Sequence, residues 1–145
     1  MLAGEASVDR DWALQEQVKA EAAVNPRQAE RTANSIADVG RRESALNDVA
    51  RAVARTDPEW AVRIVASFGR QTRASTRLAV MTLVWCAWES GPGSPGNHRL
   101  LSEAERHARS FPADDDVDSL LTGRAGLLRE VREVAHRLGV RLDNA

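Results

Sequence analysis

The chain has 145 residues, 43% of them hydrophobic and 28% charged, with a formal net charge of −1. That length fits one domain with a real core, and the charge balance excludes a global field that would draw the protein to nucleic acid or to a membrane. The single cysteine, Cys86, excludes an internal disulfide and a cysteine-rich zinc site.

Arginine outnumbers lysine nineteen to one and alanine is abundant, which points to a GC-rich, bacterial genome. Residues 1–8 read as a flexible N-terminus. They lack the basic and apolar regions of a signal peptide. The longest apolar-leaning run, Leu78 to Trp88, is far short of a membrane span, so a cytoplasmic protein is expected.

In chain order, the first helix is predicted over 9–24. Asn25 then caps a helix over 26–36, with Pro26 at a first helical position where a missing N–H costs nothing. The stripe Leu46, Val49, Ala50 and Val53 has three-four spacing and predicts a helix over 40–56. Asp57-Pro58 repeats the capping signal before a helix over 58–68, and a further helix is predicted over 71–89. The stretch around Gly91-Pro-Gly-Ser-Pro-Gly-Asn-His98 reads as an inserted loop, 90–100. Ser102 with Glu105 has capping-box spacing and predicts the start of a helix over 101–111. After the acidic loop that begins at Pro112, Val117, Leu121, Leu128, Val131, Ala135 and Leu138 mark a last helix over 116–138, which Gly139 ends. Residues 139–145 read as a tail, and no stretch reads as a strand.

These elements repeat. Asn25-Pro26 recurs as Asp57-Pro58, 32 residues on. The segments that follow align without gaps: Ala29, Arg31, Ser35 and Ile36 match Ala61, Arg63, Ser67 and Phe68. A third copy holds Ala104, Arg106, Ser110 and Phe111, displaced by 11 inserted residues. One hairpin cannot bury its stripe alone, so neighbours must stack. Three hairpins, 9–36, 40–68 and 71–111, and a closing helix are expected. Glu130, Arg132, Glu133 and Arg137 give that helix its polar face, and Gln17 and Glu21 replace Val49 and Val53 at the other end.

The segment Ala45-Leu46-Asn-Asp-Val49-Ala50-Arg-Ala-Val53, then Thr56-Asp57-Pro58, then Ala61, Val65 and Phe68, resembles a tetratricopeptide hairpin. The period of 32, the Thr-Asp-Pro turn and the absence of tyrosine depart from that family, and the pattern also suits HEAT-like repeats. The resemblance covers residues 9–138. It implies an all-α, right-handed α-solenoid of about three hairpins plus a capping helix, seven helices in all. It also implies a concave groove that binds protein or peptide.

Candidate site residues follow from breaks in the repeat. Trp12 aligns with Ser44 and Thr76, Trp60 with Gln28 and Glu103, and Trp88 with Thr56. Three tryptophans thus stand at polar positions, as partner anchors or as residues packed across hairpin turns and stack ends; packing is the favoured expectation. Trp85 aligns with Val53 and is expected in the core. Arg63, Arg70, Arg73 and Arg77 form a strip free of acids, against which Asp114, Asp115, Asp116 and Asp118 are the obvious ion-pair partners. The strip is either a site for an acidic peptide, a phosphate or nucleic acid, or a solvated face; the latter is favoured. Arg31, Arg63 and Arg106 recur in register as a ladder that grips carboxylates or, as expected, bonds neighbouring loops and acids. Cys86 reads as a small core residue. His98, His107 and His136 have no metal-ligand spacing, and no nucleophile elbow or phosphate loop appears. No cofactor is expected. The expectation is a non-enzymatic scaffold for a protein or peptide partner, with self-association as one form of it. The alternative is a regulatory helical domain that takes nucleic acid or an anionic ligand on its arginine strip.

Overall fold

The structure, a computed structural model, describes residues 3–69, 72–111 and 123–142. Among them are seven helices and no strand: α1 (Ala3–Glu21), α2 (Pro26–Asn34), α3 (Val39–Val53), α4 (Pro58–Ala66), α5 (Arg73–Ser90), α6 (Asn97–Ser110) and α7 (Arg124–Arg137). No described helix is long and apolar enough to cross a membrane.

Residues that recur in the sequence make matching contacts. Asn25 and Asp57 cap α2 and α4, accepting the N–H of Gln28 at 3.3 Å and of Trp60 at 3.1 Å. Ser35, Ser67 and Ser110 each donate their hydroxyl to the carbonyl three residues back, at 2.6, 2.5 and 2.6 Å. Each therefore adds a hydrogen bond to a carbonyl of its helix's last turn. Ala29, Ala61 and Ala104 are fully buried, and Ile36, Phe68 and Phe111 are buried at matching places beyond them. Small residues let the short helices approach the long ones, and the larger ones then plug the exit of each hairpin.

Long helices pack on long helices in chain order, α1 on α3, α3 on α5 and α5 on α7. Each of the first three packs on the short helix that follows it, and α4 also packs on α6. Among the seven described helices, none touches another more than two places away in that order.

Several boundaries differ from expectation. The helix expected from residue 9 begins at Ala3. The inserted loop is 91–96, not 90–100, and α6 starts at Asn97. Its sharp corner is set by glycine: Gly91 and Gly93 have φ of 81° and 79°, and a Cβ on Gly96 would stand 2.7 Å from Pro58 Cβ. The Asn97 amide closes the corner on the Gly91 carbonyl at 2.7 Å. Ser102 and Glu105 consequently lie inside α6 instead of capping it. Residues 116–122 of the expected last helix lie outside the described residues. Gly139, with φ of 71°, ends α7 as expected, and Val140 N–H returns to the Ala135 carbonyl at 2.8 Å. Within the expected tail, Leu142 is buried.

Candidate functional site

The four tryptophans have different surroundings. Ser44 Oγ accepts a hydrogen bond from Gln15 Nε2 of α1 at 3.2 Å, so its register position faces the preceding long helix. Thr76, the next equivalent, is buried. Trp12 holds that position on α1, with no described helix before it, and is 57% exposed beside the exposed Val8. Trp60 is half-buried and donates its indole N–H to Glu30 of α2 at 3.1 Å. It bridges neighbouring hairpins, as the packing expectation holds. Trp88, on the last turn of α5, is 49% exposed and does not.

Trp85 corrects an expectation. Alignment with Val53 predicts a core position, yet Trp85 is 40% exposed. The 32-residue register does not carry over to α5: Val80, Leu83, Val84 and Ala87 are buried where Asp48 of α3 is half-buried and Arg51, Ala52 and Arg55 are exposed, so α5 buries a different face and leaves Trp85 outside it. There the Arg51 guanidinium of α3 sits 5.2 Å from the Trp85 ring centroid. Glu89 holds Arg51 through its Nε at 2.8 Å.

Trp85 and Trp88 wall a groove of about 310 Å³ between α5 and α7. The buried Val84 and Val134 line it with them, and Glu130, Glu133 and Arg137 supply its charges. Arg137 donates to Glu133 at 3.1 Å. A second hollow of about 330 Å³ spans α1, α3 and α5, lined by Lys19, Ala22, Asp48, Arg51 and Glu89. Burial pushes the Asp48 carboxyl up despite nearby Lys19 and Arg51. The two hollows together take residues from all four long helices.

The described residues of the arginine strip lie on two helices. Arg63 lies on α4 in a groove of about 340 Å³ with Arg27, Glu30, Arg31, Asp57 and Trp60. Arg73 starts α5 with its guanidinium 5.6 Å from the Phe111 ring centroid, and the exposed Arg77 follows one turn later. Arg70, Asp114, Asp115, Asp116 and Asp118 lie outside the described residues. The ladder residues have different surroundings. Arg31 and Arg63 share the α2–α4 groove, while Arg106 donates to Glu103 at 2.7 Å. Burial opposes ionisation of Glu103, but hydrogen bonds from Arg106 and Arg99 outweigh it and hold its carboxyl below the ordinary range.

Cys86 is 1% exposed, and burial pushes its thiol up to about 12, so it is a core residue and no nucleophile at neutral pH. Among the described residues no three His, Cys, Asp or Glu side chains gather as metal ligands would. Reasoning from sequence missed Asp11 and Glu43, two buried acids that bind loop N–H groups. The shift of 32 that relates them was the available signal. It also missed that Trp85 and Trp88 face the acids of α7, and no signal in one helix's pattern reveals a partner across a groove. No family model matches the chain, and no curated protein or solved structure matches it at a significant level.

Proposed function

We propose that this chain is a non-enzymatic docking module, a tetratricopeptide-like right-handed α-solenoid of about three hairpins and a closing helix. Its row of long helices receives a peptide or protein segment. The observation that carries this is the pair Trp85 and Trp88, both exposed and both walling a groove with buried valines beneath. Large indoles kept in water at a groove are costly to a monomer and are typical anchors of an interface. Contact confined to near neighbours in the chain supports the stacked architecture, since a repeat array buries each hairpin against the next.

The test is selection of peptides from a random displayed library against the intact chain, with a Trp85→Ala, Trp88→Ala double variant as counter-target. Selected peptides should lose about 2 kcal/mol, roughly thirtyfold in affinity, on the variant while its helix content stays unchanged. Equal binding to both proteins rejects the reading.

A second reading is favoured by one observation. Arg27, Arg31 and Arg63 meet beside Trp60 with no ion-pair partner among the described residues, an arrangement suited to an anionic ligand. Retention of the chain on a phosphate-bearing resin, lost in Arg63→Gln, would favour it over the first.

A further inference from the structure

Trp85 displays a complete recognition unit within the chain itself. A guanidinium lies 5.2 Å from the indole centroid, and a carboxylate one turn along the same helix holds it there. The unit forms on an open surface, where each of its two attractions alone is modest. Trp88 offers a second indole three residues further, and no cation lies over it among the described residues. Across the groove, α7 supplies Glu130 and Glu133. Glu133 is engaged by Arg137, whereas Glu130 has no ion-pair partner among the described residues. The lining therefore carries two acids against one base, over an apolar floor.

The geometry points to the α5–α7 groove as a receptor for an arginine side chain carried on an otherwise apolar partner peptide. Its guanidinium lies over Trp88 and pairs with Glu130, and an apolar neighbour rests on Val84 and Val134. This rests on the docking module proposed above and adds the chemistry of its ligand. Arginine suits the place better than lysine, because its planar fork stacks on an indole and still meets a carboxylate with two N–H groups. An acidic peptide meets the uncompensated Glu130 and is repelled.

The test follows the four tryptophan indole N–H signals of the intact, ¹⁵N-labelled chain. Three blocked peptides, Leu-Arg-Leu-Leu and its citrulline and glutamate counterparts, are titrated in turn. Citrulline keeps the shape of arginine and removes its charge. The Trp88 signal should move saturably with the arginine peptide at millimolar concentration. Affinity should fall about five- to tenfold for citrulline, and about threefold for the arginine peptide on Glu130→Gln. Glu130 is exposed, so its substitution leaves the fold in place. Equal affinity for arginine and citrulline overturns the arginine assignment while leaving peptide docking at the groove intact. No movement of Trp88 with any peptide also overturns it, and the library selection then decides separately whether the module docks peptides at all. Movement of Trp88 with protein concentration alone overturns it too, by seating a second copy in the groove.

Discussion

Asp11 and Glu43 hold equivalent places in successive hairpins, and each binds the backbone N–H 26 residues further on. Asp11 takes Ala37 at 3.1 Å and also Asp38 at 2.9 Å. Glu43 takes Gly69 at 2.7 Å and also the Ser75 hydroxyl at 2.5 Å. Each acid reaches from the first half of a long helix to the loop that leads out of its own hairpin. It fixes where the next long helix begins, and hence how one hairpin is laid on the next.

Removing the second of these clamps should be expensive. Glu43→Ala leaves the buried Ser75 hydroxyl without its acceptor, and hydrogen bonds to a charged group contribute about 1.5–3 kcal/mol each way of counting. A loss of about 2 kcal/mol in urea unfolding is expected. A change below about 0.5 kcal/mol would show that the clamp is ornamental.

The first clamp should appear in the pH dependence. Hydrogen bonds from the backbone N–H groups of Asp38 and Ala37 hold the Asp11 carboxyl below its ordinary value of 3.8. A depressed folded-state pKa adds stability that is fully present above the unfolded value and is lost as pH falls through the folded one. The urea midpoint of the native chain should therefore decline more steeply below about pH 4 than that of Asp11→Asn. Parallel curves for the two proteins would refute the assignment.

Gly96 admits no side chain. A Cβ there meets Pro58 Cβ and Cγ, both at 2.7 Å, and a proline ring at the start of a helix has little room to retreat. Gly96→Ala should cost about 1–3 kcal/mol through overpacking where α6 meets α4. Thermal unfolding of this variant beside the native chain checks the point, and an unchanged midpoint would mean that the loop simply swings away.

Cys86 should be silent toward thiol reagents in the folded protein. It is buried, and its thiol is pushed up to about 12, so little thiolate exists near pH 8. Labelling by a disulfide reagent should be slow in buffer and stoichiometric in denaturant. Immediate labelling without denaturant would place α5 in a much looser setting.

The elements with local signals were legible in the sequence. Asn25-Pro26 and Asp57-Pro58 start helices for reasons contained in four residues, and the buried alanines 29, 61 and 104 follow from periodicity. Asp11 and Glu43 were not found, because a carboxylate among polar neighbours looks like surface until the loop it caps is known. Alignment of Trp85 to Val53 fails because it assumes that α5 buries the same face as α3, whereas α5 buries Val80, Leu83 and Val84, whose α3 equivalents Asp48, Arg51 and Ala52 are not buried. Glu130 and Glu133 were read as the outer face of the closing helix. They are exposed as that reading requires, and the same exposure turns them toward Trp88.

Helices that touch only near neighbours give a molecule no keystone. Among the described residues no backbone contact joins α1 to α5, α6 or α7, so a disturbance at one end reaches the other through α3 or across the Trp60–Glu30 bond between α4 and α2. Such a chain is expected to assemble quickly from local pieces and to loosen from its tips inward. Amide hydrogens of α3 should thus outlast those of α1 and α7 in deuterium exchange, with the Trp88 groove lying toward the softer end.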